Sequence, residues 1–165
     1  MQDSYIFDIY KTHDSITIIF SSTMENIDRT CDETIRFLTD MFNQNSFSDG
    51  YDIEEVECSE SFQSHLFAIQ LVMREGLTNA VRHGNRLNSS KTVRCSVQII
   101  DNKVVKIEIE DQGKGFNWKK ELESKCMDDT LEHGRGLMII EQYFSKYIYN
   151  ERGNKLILEK NISYK

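Results

Sequence analysis

Between residues 61 and 83, Phe62, Leu66, Ile69, Met73, Leu77 and Ala80 fall within one narrow stripe at about 3.6 residues per turn. A helix of that length with a single apolar stripe must bury one side against a second layer and leave the other side polar. The chain supplies strands for that layer. Residues 92–100 and 104–110 read as a hairpin turning across Asp101-Asn102-Lys103, and Val105, Ile107 and Ile109 alternate there with Lys106, Glu108 and Glu110. Period-two alternation buries one face of a sheet and exposes the other. Residues 5–10 and 16–20 are rich in β-branched and aromatic side chains and form two further strands around Thr12-His13-Asp14-Ser15.

The remaining elements follow from spacing. Ile27, Cys31, Ile35, Leu38 and Phe42 recur at helical intervals, so Ser22 or Thr23 is expected to cap a helix that runs to about Phe42. Residues 43–50 are polar and turn-prone and are expected to loop. The acidic run Asp52, Glu54, Glu55, Glu57 and Glu60 reads as a solvated face leading into the long helix. Residues 117–133 are polar, with room for a short helix and the character of a lid. A helix over about 136–147 follows, then a closing strand pair around Glu151-Arg152-Gly153-Asn154. The order predicts an α+β fold of two layers, a mixed and mostly antiparallel sheet covered by helices on one face.

At 165 residues the chain is expected to form one domain over residues 1–165, large enough to bury a core. Its formal charge of −7 lacks the basic excess of a general nucleic-acid binder, so no direct nucleic-acid contact is expected. Met1-Gln2-Asp3-Ser4-Tyr5 has no basic segment followed by an apolar run, so no signal peptide is expected. No stretch approaches the ~18 apolar residues of a membrane span. Cys31, Cys58, Cys95 and Cys126 are scattered without a CxxC pair, and His13, His65, His83 and His133 lack metal-ligand spacing. These features describe reduced thiols in a cytoplasmic protein without a zinc site.

Three short patterns carry chemistry. Glu75, Asn79 and His83 stand at i, i+4 and i+8, along the helix side away from the Leu66-Met73-Leu77 stripe. Asn79 offers the neutral oxygen that magnesium accepts, and Glu75 one turn earlier can take a proton from an attacking hydroxyl. Asp111 ends an alternating strand and is followed by Gly113 and Gly115. A carboxylate there can accept the exocyclic amine of adenine, and the glycines let backbone approach a flat base. Gly134-Arg135-Gly136-Leu137 opens a helix, where free N–H groups and the positive dipole end suit phosphates, with Arg135 adding a charge. Each pattern alone is more often an exposed polar stripe, a strand-ending turn or an ordinary glycine cap. Together and in order they predict ATP binding and transfer of its terminal phosphoryl group.

These residues resemble the N, G1 and G2 boxes of the ATPase fold shared by gyrase, MutL and histidine kinases. Within that superfamily the chain is most similar to the bacterial anti-sigma-factor serine kinases of the RsbW and SpoIIAB type. The resemblance implies Glu75 as general base, Asn79 as magnesium ligand and Asp111 as the adenine-binding carboxylate. It implies Gly113 and Gly115 as the first glycine box, and Gly134 and Gly136 as the second, with Arg135 between them. His83 and Leu137 complete the expected nucleotide-contacting set. ATP and magnesium are the implied cofactors. The implied partners are a STAS-domain anti-anti-sigma protein, phosphorylated on serine or threonine, and a sigma factor held in an alternative complex, commonly by a homodimer.

Two departures bear on the partner surface: residues 43–60 are longer and more acidic than the simplest members need, and the first helix lacks the proline that often precedes it. Two other functions compete. A detached catalytic domain of a sensor histidine kinase would usually carry Asn where Glu75 stands. A non-catalytic partner switch would use ATP only to set its shape.

Overall fold

A computed structural model of the chain describes residues 5–49, 60–120 and 143–162, with the backbone alone for residues 45–49 and 60. The elements are strands β1 (Phe7–Lys11) and β2 (Ser15–Ser21), helices α1 (Glu25–Asp49) and α2 (Glu60–Asn79), and strands β3 (Thr92–Ile100), β4 (Val104–Asp111), β5 (Lys146–Tyr149) and β6 (Lys155–Asn161). The strands form one sheet in the order β1-β2-β3-β4-β6-β5. All five pairings are antiparallel, which corrects the expectation of a mixed sheet. β1–β2, β3–β4 and β5–β6 are each joined through short turns, and a short turn can only reverse the chain.

The expected alternation decides which face is covered. Ile16, Ile18, Phe20, Val93, Cys95, Val97, Ile99, Val105, Ile107, Ile109, Leu156 and Leu158 are buried under the helices. The opposite face carries Lys106, Glu108, Glu110, Lys155 and Glu159, and Lys106 pairs with Glu108 at 2.8 Å while Lys155 reaches Glu110 at 3.3 Å. Such exposed pairs contribute little to stability; they keep that face wet. All six stripe residues, from Phe62 in α2 to Ala80 just past its end, are buried. At Gly76 the helix lies so close to the sheet that a Cβ would come within 2.8 Å of Ile109 Cδ1 and 3.0 Å of Leu156 Cδ2. Phe42 meets Phe62 edge-on at 5.4 Å, joining α1 to α2. Cys31 and Cys95 are free thiols buried between α1 and β3, and burial pushes Cys31 up to about 11.

Three boundaries differ from those expected. α1 continues to Asp49 through the predicted loop, because no Gly or Pro interrupts it before Gly50. Neither Ser22 nor Thr23 caps it; both hydroxyls lack a hydrogen-bond partner among the described residues. Asn26 anchors the helix instead, donating from Nδ2 to the Ser21 carbonyl at 2.8 Å and accepting from the Tyr5 hydroxyl. The helix expected over about 136–147 lies outside the described residues up to residue 142, and its expected end is not helical, since Lys146–Tyr149 is strand. Ser145 donates both N–H and Oγ to the Glu159 carbonyl, at 2.8 and 3.0 Å, and so turns the chain onto the sheet. Buried Lys160 secures this turn by donating from Nζ to the Tyr143 carbonyl at 2.7 Å. Among the described residues no helix is long and apolar enough to cross a membrane. The acidic run at 52–57, the proposed lid beyond residue 120, Cys58 and Cys126 lie outside the described residues.

Candidate functional site

The site is built where α2 ends over β4 and β6. Glu75 is exposed and Asn79 half-buried, one α-helical turn apart. Asn79 makes no side-chain cap to the turn that follows, so its amide oxygen is not spent on the helix end. The helix then widens into a π-helical turn at Ala80–Gly84, closed by the Asn85 N–H on the Ala80 carbonyl at 2.8 Å. The count of about 100° per residue that aligns Glu75 with Asn79 therefore does not carry to His83, which is exposed on the wider turn.

The widening has a local cause. It brings Asn85, 1% exposed, under the strand ends, where Nδ2 donates to the Thr92 carbonyl at 2.8 Å and Oδ1 accepts the Gln112 N–H at 2.9 Å. Gln112 Oε1 in turn accepts the Thr92 N–H at 2.8 Å. One amide thus ties the end of α2 to both central strands. The same turn lays Gly84 on Asp111; a Cβ at Gly84 would stand 2.3 Å from the carboxylate.

Asp111 is half-buried, and its Oδ1 accepts the Gly113 N–H at 2.7 Å. Burial raises its pKa above the ordinary carboxylate value, while the Gly113 N–H, Lys91 and Arg152 pull it back. Its backbone is paired both ways with Asn154, by N–H to carbonyl at 2.9 Å and by Asn154 Nδ2 to the Asp111 carbonyl at 2.8 Å. A carboxylate clamped in this manner is pre-aimed and poorly hydrated, which strengthens a hydrogen bond from an amine. Gly115 adopts φ +76°, and a Cβ there would lie 1.8 Å from the Arg152 carbonyl; Gly153, also at +76°, faces the Phe116 carbonyl at 2.0 Å in the same sense. The glycine box and the β5–β6 turn therefore cross backbone against backbone.

Aromatic rings flank this crossing. Tyr149 meets Phe116 at 4.9 Å and Tyr147 at 5.8 Å, both edge-to-face. Register sets both tyrosines on the helix-covered face, with Tyr149 opposite Leu156 and Tyr147 opposite Leu158. Burial raises both phenols, with Glu75 adding to each and Asp111 to Tyr149. Tyr149 therefore feels both carboxylates and Tyr147 the Glu75 carboxylate. The two hydroxyls are hydrogen-bonded to each other.

The structure thus brings Gly84, Asp111 and Gly113 into contact at the end of the helix that carries Glu75 and Asn79. Gly134, Arg135, Gly136 and Leu137 lie outside the described residues. Asn85, Arg152, Asn154, Tyr147 and Tyr149 escaped the motif search. Asn150-Glu151-Arg152-Gly153-Asn154 is readable as a turn, but nothing in its spacing points across 39 residues to Gly113. The donor set fits an adenine nucleotide, with a clamped carboxylate for the base and aromatic surface beside it. Among the described residues no cluster of three or more His, Cys, Asp or Glu could hold a metal alone. Magnesium would rest on Asn79 and the nucleotide's phosphates.

The profile of the histidine kinase-like ATPase domain matches residues 34–160, well over half of the chain and inclusive of every candidate residue. The chain belongs to the histidine kinase-like ATPase domain family. No curated protein matches it. Membership agrees with the α+β sheet and helices described above, and it points to ATP binding, with magnesium as the family's general companion ion, and to a kinase or ATPase activity.

Proposed function

We propose that the protein is an ATP-dependent serine/threonine kinase of the anti-sigma-factor type. Its substrate is a STAS-type anti-anti-sigma protein; in the alternative complex a homodimer of the chain holds a sigma factor. The observation that carries this reading is the exposed Glu75, one helical turn before Asn79 on the helix whose end rests on Asp111. A base that only positioned the nucleotide would have no need to face outward. An exposed one is open to a hydroxyl delivered by another protein.

ATP would supply the phosphoryl group, and magnesium held on Asn79 and the phosphates would offset its charge. Asp111 accepts the adenine amine, and Asn79 offers magnesium a neutral oxygen. Glu75 orients the partner's hydroxyl and takes its proton as that oxygen bonds to the terminal phosphorus and the bond to the ADP oxygen breaks. Positioning and charge stabilisation supply most of the acceleration. Phosphate transfer from labelled ATP to a STAS protein tests the reading. Glu75→Ala is expected to lower transfer by about 100-fold or more while Mg·ATP still binds. Transfer at the parent's rate would remove Glu75 from the mechanism, and refusal of every STAS protein by an ATP-binding parent would remove the partner class.

A further inference from the structure

The β5–β6 turn is built more elaborately than a strand reversal requires. Asn150 Oδ1 accepts three backbone N–H groups, from Gly153 at 2.8 Å, Asn154 at 3.0 Å and Lys155 at 3.2 Å, and Asn150 Nδ2 donates to Asn154 Oδ1 at 2.9 Å. This scaffold presents Arg152, whose Nη2 donates to the Gly113 carbonyl at 2.9 Å. Gly113 is consequently held at both ends of the residue, by its N–H on Asp111 Oδ1 at 2.7 Å and by its carbonyl on the guanidinium. The backbone crossing of Gly115 with Arg152, and of Gly153 with Phe116, fixes the turn and the box in one register.

We propose that Arg152 is a positioning residue of the nucleotide site: its guanidinium, bonded to the Gly113 carbonyl, holds the first glycine box in the shape that aims Asp111 at the base. The inference rests on the reading of this site as a nucleotide site. A hydrogen bond from a charged donor to a carbonyl is stronger than a neutral one. Without it the Gly113 carbonyl loses its charged partner, and the residue that holds Asp111 Oδ1 is fixed at one end only.

Charge adds a second consequence. The groups acting on Asp111 are Lys91 before β3, Arg152 on the β5–β6 turn and Glu110 beside it on β4, while Tyr149 on β5 feels Asp111 in return. Arg152 and Lys91 favour the ionised carboxylate against its burial. Removing Arg152 leaves only the Gly113 N–H and Lys91 in that role. Binding that needs ionised Asp111 is lost as pH falls, and without Arg152 it is lost at a higher pH.

The test is calorimetric titration of the full chain with Mg·ATP across a pH series, for the parent, Arg152→Met and Arg152→Lys, with thermal unfolding of each measured without nucleotide. Methionine keeps the stem and removes the donor; lysine restores a cationic donor. The expected result is a Kd about tenfold weaker for Arg152→Met at neutral pH, with the acid limb of binding moved upward. Arg152→Lys should return to within about threefold of the parent. Equal affinity and an unmoved acid limb in Arg152→Met would overturn the inference while leaving the nucleotide site intact. So would weakening that follows the thermal midpoints alone and is not repaired by lysine. A parent that binds no Mg·ATP would overturn the nucleotide reading itself.

Discussion

The two ends of β4 solve different problems. At its start, Ile100–Lys103 reverses the chain with the Lys103 N–H on the Ile100 carbonyl at 3.0 Å and with Asp101 and Asn102 at φ +50° and +54°, and the Lys103 carbonyl accepts the Ile162 N–H at 2.9 Å. Those are the angles of a primed turn, which Asp and Asn tolerate well. At its other end, Asp111–Gly115 is held by Asn85, Asn154, Arg152 and the backbone of Gly84 and Gly153, all distant in sequence. A turn that only reverses the chain can be local. A turn that must keep a carboxylate and two glycines in place for a ligand draws its partners from two other segments.

The sharpest way to break this contrast is Gly115→Ala. The φ of +76° and a Cβ 1.8 Å from the Arg152 carbonyl leave no room to relax, so a loss of about 3 kcal/mol or more is expected in urea unfolding. A variant as stable as the parent would make the two ends equivalent. Asn85→Ala comes next, at about 2–3 kcal/mol, because it strands the Gln112 N–H and the Thr92 carbonyl beneath α2. The same unfolding assay decides it, and a cost under about 1 kcal/mol would mean that the amide is not the tie between helix and strands.

Asp111 sharpens the contrast by sign. Its pKa is raised in the folded state, so the fold gains from its protonated form, and that gain is lost as pH rises from the ordinary value of 3.8 through the folded one. Without nucleotide, Asp111→Asn should therefore be slightly more stable than the parent at neutral pH. The difference should stay below about 1 kcal/mol for a half-buried group and vanish toward acid pH. A variant less stable at neutral pH would show the carboxylate to be structural rather than held ready for a ligand. Asp101→Gly at the other end should change stability by no more than about 0.5 kcal/mol, in the stabilising direction, since glycine adopts its φ of +50° without cost.

The same contrast explains what could be read from the chain. Periodic, local patterns were legible: the α2 stripe from Phe62 to Ala80, the alternation of Val105, Ile107 and Ile109, and the Asp101-Asn102 turn all lie where their spacing put them. Glu75, Asn79 and Asp111 stood out as candidates because each is a polar residue in or at the end of a periodic element. Long-range bonds left no such trace. Arg152 reaches Gly113, and Asn154 reaches Asp111, over 39 and 43 residues. The π-helical turn was hidden because Asn85, which stabilises it, looks like any polar residue after a glycine. The extension of α1 to Asp49 was missed because Asn, Gln and Ser favour loops but do not forbid helix.

The central claim is that the guarded end of β4 receives the adenine of ATP. Calorimetric titration with ATP and with GTP, each with and without magnesium, on the parent and on Asp111→Asn, tests it most directly. The account predicts magnesium-dependent binding of ATP over GTP in the parent, lost in Asp111→Asn although that variant folds. Equal binding of both nucleotides, unchanged ATP affinity in Asp111→Asn, or no binding by the parent would contradict it.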